Sequence, residues 1–175
     1  MSDNQIIIQP LTSEGFAPFG DVLEVSSEPT MMINQGLCGR HHDLAQLDFM
    51  PSDDGEQDNA DARAGISLFD AQPRSLPYQL DMMERHPLGS QAFLPMSMTS
   101  FLIITAPDAD GQPGVPVAFE SKPGQGINFH RNIWHGVLTP LHEPGLFAVI
   151  DRIGAGNNLQ EHWFKRPYII SRKPN

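Results

Sequence analysis

Cysteine is nearly absent from this chain of 175 residues, and basic residues are scarce. Cys38 is the only cysteine, so no intrachain disulfide can form, which is typical of a protein in a reducing compartment. Eleven Lys and Arg against 21 Asp and Glu give a net charge of −10. This balance argues against nucleic acid or an anionic membrane as a main partner, because both need clustered positive charge. We therefore expect a cytoplasmic protein with no nucleic-acid or membrane partner.

Long hydrophobic runs and common catalytic motifs are also missing. No apolar stretch approaches the roughly 20 residues that span a bilayer. The polar N-terminus, Met1–Gln5, has neither the basic nor the apolar region of a signal peptide. The sequence contains no phosphate-binding loop, dinucleotide fingerprint, nucleophile elbow or paired Cys-x-x-Cys. Nucleotide-dependent and covalent acyl-enzyme chemistry therefore find no support.

Proline and glycine, by contrast, are abundant, with 16 and 15 residues spread over the chain. They divide it into short β-branched or aromatic segments, which favours strands joined by turns over long helices. Seven strands are predicted: Ile6–Ile8, Asp21–Val25, Gly65–Phe69, Tyr78–Leu80, Ser100–Thr105, Gly126–His130 and Leu146–Asp151. One short helix is predicted near the start, capped by Thr12 or Ser13 and ending near Pro18.

This pattern predicts one mainly all-β domain over residues 1–175, a barrel or sandwich with few short helices. The acidic, Asp-rich stretch Pro51–Ala62 is interpreted as a solvated loop. A closed barrel has no exposed sheet edges and offers a pocket at its mouth. Functional residues are therefore expected among polar side chains that the strands direct inward.

Glu84 and His86 are the first candidates, because residues two apart on a strand point to the same face. Gln91 follows after a turn, so three polar groups can converge on one pocket. The alternative is a surface strand on which Glu84 and His86 are solvated.

His130 and His135 form a second candidate pair, five positions apart, and Arg131 and Asn132 follow directly after His130. A turn there can bring both imidazoles to one barrel mouth, where they would transfer protons or bind a metal. The alternative is one histidine packed beside Trp134 and one exposed histidine.

Arginine residues are candidates for binding an anion. Arg40 lies beside Gly39 in a predicted loop, and its planar guanidinium matches a carboxylate, although a solvated loop arginine fits equally well. Asp151 and Arg152 end an apolar strand, so only one of them can face a pocket. An ordinary ion pair at the strand end is the alternative.

Together these segments resemble the ureidoglycolate lyase family, a branch of the cupin superfamily. The resembling stretches are Pro10–Phe16, Phe19–Val22, Ile33–Gly36, Arg40–Ala45, Glu84–Met96, Gly126–His135 and Ile150–Arg152. They occur in order, at compatible spacing, and cover most of the chain. The resemblance implies a cupin-like β-barrel or jelly roll that forms a homodimer.

The resemblance also implies the activity, a carbon–nitrogen lyase that cleaves the small anion ureidoglycolate to glyoxylate and urea in allantoin and purine nitrogen catabolism. Such a reaction needs a base for the hydroxyl, an acid for the leaving nitrogen and a group that holds the carboxylate. The candidate acid–base residues are Glu84, His86, His130 and His135. The candidate substrate-binding residues are Arg40, Gln91, Arg131, Asn132 and Arg152.

A metal is not firmly implied. Many cupins carry His-x-His-x4-Glu where this chain has Glu84, His86 and Gln91, a difference at two of three ligands, while His135 resembles the remaining metal histidine. A weakly bound nickel or zinc ion is compatible with these side chains. Two other functions stay open: a metal-dependent cupin enzyme acting on another small hydroxy acid or sugar, and a non-catalytic cupin that binds a carboxylate.

Overall fold

The structure, a computed structural model, describes residues 4–25, 28–52 and 62–174. Most of the predicted 51–62 loop therefore lies outside the described residues. The strands are Gln5–Ile7 (β1), Gln9–Pro10 (β2), Gly20–Leu23 (β3), Met31–Ile33 (β4), Cys38–Arg40 (β5), Arg63–Asp70 (β6), Tyr78–Arg85 (β7), Gln91–Pro95 (β8), Phe101–Ala106 (β9), Asp108–Ala109 (β10), Gln112–Pro113 (β11), Val117–Glu120 (β12), Gly126–Phe129 (β13), Trp134–His135 (β14), Thr139–Pro140 (β15), Leu146–Ile153 (β16) and Gln160–Ser171 (β17). The helical segments are Ser13–Phe16 (α1) and a 3-10 turn at Asn34–Gly36. The all-β prediction is confirmed.

An eight-stranded sheet curls until it nearly closes on itself. Its strand order is β1-β17-β7-β14-β9-β12-β2, and β15 joins at β9. The segment 5–10 runs parallel to β17 through β1 and then parallel to β12 through β2. One extended segment thus links both ends of the sheet and covers edges that would otherwise be open to another chain.

A five-stranded sheet, ordered β3-β13-β8-β16-β6, packs against the curled sheet. Their shared core is rich in phenylalanine, and the Phe101 and Phe147 rings meet edge to face at 5.0 Å. Side chains alternate along a strand, so Phe101 and Ile103 face this core while Leu102 and Ile104 pack in a second apolar cluster on the other face.

The inward positions change from apolar to polar at one end of the core. Along β9 the inward residue after Ile103 is Thr105, and along β16 the one after Val149 is Asp151. The same end of β8 places Gln91 two residues before the core residue Phe93. The apolar residues hold the sheets together, and the polar end is where chemistry can take place.

All seven predicted strands are confirmed, and so is the helix, in which Thr12 Oγ1 accepts a hydrogen bond from the Gly15 amide at 3.1 Å. The longest strand, β17, was missed. Its pairing with β7 shifts register between Trp163 and Tyr168, so no simple alternation of polar and apolar residues marks it. The part of the chain that the structure describes contains no helix long and apolar enough to cross a membrane.

Candidate active site

Glu84, His86 and His135 meet at the polar end of the barrel. Glu84 and His135 are directly paired across β7 and β14, and His86 follows β7 on the same face as Glu84, as their spacing predicts. The Glu84 Oε1 to His86 Nε2 distance is 4.0 Å, and the two imidazole centroids are 5.2 Å apart. One ligand atom from each of the three residues lies within 4.8 Å of the others.

Each of the two imidazoles is held in place through one of its own ring nitrogens. His86 Nδ1 lies 2.7 Å from the Asn158 carbonyl oxygen, and His135 Nδ1 lies 3.0 Å from that of Gly136. A carbonyl only accepts, so we assign the proton of each neutral ring to Nδ1. Both Nε2 atoms are buried and have no hydrogen-bond partner among the described residues. Two fixed lone pairs beside a carboxylate are the arrangement of a metal site.

Burial controls the protonation of His135 and Glu84. It lowers the pKa of His135 to about 3, with a further contribution from His86, so this imidazole is neutral at neutral pH. Phe129 stacks on it at 4.4 Å with an interplanar angle of 7°. Burial also raises the pKa of Glu84, although His86 opposes that shift. A buried neutral His135 favours the metal-ligand interpretation over proton donation.

Gln91 and Asp151 lie on the facing wall, which the five-stranded sheet forms. Gln91 is paired with Phe129, and its Nε2 donates to Asp151 Oδ2 at 3.5 Å. The inward turn of Gln91 agrees with the predicted convergence. Asp151 and Thr105, which lies beside His135 in the sheet, were not among the predicted site residues. Gln91 Oε1, Asp151 Oδ1 and Thr105 Oγ1 are buried acceptors without a partner in the described ranges.

Beyond this polar end, the described residues that line the barrel interior are apolar. A small enclosed void between the sheets is lined by apolar side chains and backbone, including Phe93, Ile127 and Phe129.

His130 lies apart from His135. Its Nε2 is 3.2 Å from Asp21 Oδ2, and the His130 side chain is 47% exposed. Asp21 is paired with Asn128, and the Asn128 side chain faces the opposite way from that of its neighbour Phe129, which faces inward. Asp21 and His130 therefore lie on the outer face of the five-stranded sheet. The observed arrangement matches the alternative of one packed and one exposed histidine, with Phe129 rather than Trp134 as the packing partner.

Arg131 and Asn132 hold the segment that carries His86. Arg131 Nε donates to Asp48 Oδ2 at 2.8 Å, and its Nη1 donates to the Pro87 carbonyl at 3.2 Å. The Asn132 amide donates to the His86 carbonyl at 3.0 Å from a left-handed backbone conformation with φ of 66°. Both contacts support the position of His86.

Arg152 and Arg40 lie outside the barrel interior. Arg152 is buried on the opposite face from Asp151, and its Nε donates to the Met50 carbonyl at 2.7 Å. Arg40 lies on the exposed β4–β5 hairpin, where its guanidinium has no hydrogen bond or ion pair with the described residues. Within one copy of the chain, neither guanidinium faces the polar end.

A family profile and several similar proteins all point to one family. The family profile described as ureidoglycolate lyase matches residues 3–171. The chain is 56% identical over 166 residues to "Ureidoglycolate lyase" of Rhodobacter capsulatus, covering 95% of this chain and 98% of that protein. It is 49% identical over 163 residues to "Ureidoglycolate lyase 2" of Rhizobium meliloti, covering 93% and 95%. It is 50% identical over 166 residues to "Ureidoglycolate lyase" of Chelativorans sp., covering 95% and 96%.

Proposed function

Because this chain belongs to the ureidoglycolate lyase family, as the resemblance of its sequence predicted, we propose that it cleaves ureidoglycolate to glyoxylate and urea. The observation that supports this most strongly is the cluster of Glu84, His86 and His135 at the polar end of a barrel whose sequence matches the family over nearly its whole length. We place the reaction at this cluster and at the facing Gln91 and Asp151.

The reaction moves one proton and breaks one bond. The carbinol hydroxyl loses its proton as the new carbonyl forms, the carbon–nitrogen bond breaks, and the departing urea nitrogen gains a proton. No water is consumed and no electrons are exchanged with a cofactor. The site therefore needs stabilisation of charge on the carbinol oxygen and a group that carries a proton from oxygen to nitrogen.

The donor set of the cluster fits a divalent cation, and nickel and zinc are among the ions that suit imidazole ligands. Glu84, His86 and His135 would hold it, because both Nε2 lone pairs are bare while both Nδ1 atoms are occupied. A bound cation supplies Lewis-acid stabilisation of the oxygen that becomes the glyoxylate carbonyl. Asn158 and Gly136 fix the two rings through their carbonyl groups, so the lone pairs are aimed before substrate arrives.

The proton carrier then follows from the remaining inward groups. With Glu84 and His86 as ligands and His135 held neutral, two carboxyl groups remain near the polar end in the described chain. Glu161, paired with Glu84 across β17 and β7, is exposed, which leaves the inward Asp151. We assign it the transfer of the hydroxyl proton to the leaving nitrogen. The Thr105 hydroxyl lies beside His135 and can donate a hydrogen bond to a substrate oxygen.

The other residues predicted from the sequence receive supporting roles. Arg131 and Asn132 position His86 through the loop they hold, and Arg152 supports the Met50 segment. The predicted catalytic role of His130 stays a competing proposal, tested by substitution below. Arg40 would bind the substrate carboxylate only if a second copy of the chain brought it to the site.

We further propose a cytoplasmic homodimer that acts in allantoin and purine nitrogen catabolism. The outer face of the five-stranded sheet supports self-association, since Leu68 and Leu94 both flank Ala148 there and are 65% and 36% exposed. The exposed free thiol of Cys38 suits a reducing compartment.

A direct assay tests the function. Purified protein is given ureidoglycolate, and urea, glyoxylate and ammonia are measured with and without a chelator. We expect equal amounts of urea and glyoxylate, with loss of turnover after cation removal. Chelator-sensitive turnover of another small hydroxy acid or a sugar, without urea, would support the metal-dependent alternative, and binding without turnover would support the carboxylate-binding alternative.

A further inference from the structure

The wall facing the cation ligands carries a pair of side chains whose joint role the reaction alone does not explain. Gln91 is 7% exposed and shares its face with Phe129, the ring that stacks on His135. Asp151 reaches the same level from β16, because Ile150 is paired with Ala92 and the next residue lies beside Gln91. The pair therefore faces the cluster across the interior.

Each of these two side chains has one oxygen that accepts no hydrogen bond within the described residues. Gln91 Oε1 and Asp151 Oδ1 have no partner in the part of the chain that is described, and the contact between the two residues, 3.5 Å, is long for an N–H···O bond. Buried acceptors are nearly always paired, because leaving one unpaired costs stability. The wall is thus complementary to a group rich in N–H donors.

The substrate has only one such group. Its carboxylate carries acceptors alone and would be repelled by Asp151, whereas the ureido end carries N–H donors on both nitrogens. A carboxylate oxygen accepting from N–H is a charge-assisted bond of the stronger kind. The carboxylate and hydroxyl end of the substrate instead suits the opposite wall, where Glu84, His86 and His135 fit a cation.

We propose that Gln91 and Asp151 form the ureido-binding subsite and so determine both the selectivity for a ureido acid and the direction in which substrate lies. This inference rests on the proposed function for the identity of the ligand. It places the leaving nitrogen against Asp151, and it makes Gln91 and Asp151 specificity-determining residues rather than parts of the cation site.

Binding of unreactive analogues tests the subsite. Oxalurate keeps the carboxylate and the ureido group but has a carbonyl at the carbinol carbon, whereas oxalate lacks the ureido group. Calorimetry on nickel-loaded protein would compare wild type with Asp151→Asn, which replaces one acceptor by an amide that competes as a donor. We expect oxalurate to bind about tenfold more weakly or worse, while oxalate affinity changes by less than about twofold. Asp110→Asn, in an exposed turn, is the matched control and should change neither affinity.

If Asp151→Asn does not fold, a change in the ligand tests the subsite on the wild-type protein. Oxalurate dimethylated on its terminal nitrogen should lose about tenfold or more in affinity for the wild type, because the terminal donors are gone. Equal weakening of oxalurate and oxalate by Asp151→Asn, or full affinity for the dimethylated ligand, would overturn the subsite.

The proposed function is tested separately by urea release. If wild type releases no urea but Asp151→Asn weakens oxalurate selectively, the ureido subsite stands and the assigned reaction falls. If urea is released and Asp151→Asn affects both analogues alike, only the subsite falls.

Discussion

His135 makes the stability of the protein depend on pH in a defined direction. Burial holds its pKa at about 3 in the folded protein, against 6.5 for an ordinary histidine. Below pH 6.5 the unfolded chain takes up a proton at this position and the folded chain does not. The unfolded state then binds more protons, so the free energy of unfolding must fall as the pH is lowered, and the contribution is fully present only above pH 6.5.

The magnitude follows from the size of the shift. A difference of about 3.5 pKa units corresponds to roughly 5 kcal/mol over the whole range, at about 1.4 kcal/mol for each pH unit. Between pH 6.5 and pH 5 the expected loss is about 2 kcal/mol. Glu84 acts in the opposite sense, because its pKa is raised and its protonated form stabilises the fold at low pH. The Glu84 contribution to stability is therefore common to the wild type and to a variant that lacks His135.

His135→Gln removes the titrating group and keeps a polar side chain of similar size. Denaturation in guanidinium chloride, with excess chelator, would give the free energy of unfolding at intervals from pH 5 to 7. Wild type should show an additional slope of about 1.4 kcal/mol per pH unit below pH 6.5 relative to the variant. The exposed His142→Gln controls for the substitution itself. Parallel curves for wild type and His135→Gln would refute the assigned burial and protonation.

Three further predictions concern the cation, the histidines and self-association. Wild type should bind about one nickel or zinc ion per chain in calorimetry, and His135→Gln should weaken binding about tenfold or more; equal affinity would remove His135 from the ligand set. His86→Ala should lower urea release by about a hundredfold or more. His130→Ala should lower it by less than about tenfold because His130 faces Asp21, whereas the acid–base role inferred for His130 from the sequence predicts a loss of at least about tenfold; that larger loss would reverse the assignment. Leu68→Asp should convert a dimer into monomers in sedimentation experiments while Val115→Asp, exposed elsewhere, does not; a monomeric wild type contradicts the proposal.

Much of the fold could be predicted because its signals are local. Proline and glycine mark the turns, and β-branched or aromatic residues mark strands such as β9 and β16, so the all-β architecture follows. The way in which the curled sheet closes could not be predicted, since residues 5–10 join two strands that are distant in sequence. Nor could the length of β17, because the register shift near Trp163 interrupts the alternation on which strand prediction depends.

The candidate site was partly predictable for the same reason. The two-residue spacing of Glu84 and His86 is a local signal, and the structure brings both together with His135. Asp151 was missed in favour of Arg152 because Leu146–Ile150 is a continuous apolar run, which does not reveal which alternate positions face inward. Only the packing of Val149 against the other sheet decides that Asp151 faces the interior and Arg152 does not.

A crystal structure of nickel-loaded protein with oxalurate would show whether the metal and the ureido group bind at the polar end of the barrel. We expect anomalous density for the metal between Glu84, His86 and His135, with the ureido nitrogens of the ligand against Gln91 and Asp151. Metal or ligand bound instead at Asp21 and His130 on the outer face of the five-stranded sheet, with the barrel interior unchanged, would contradict this placement.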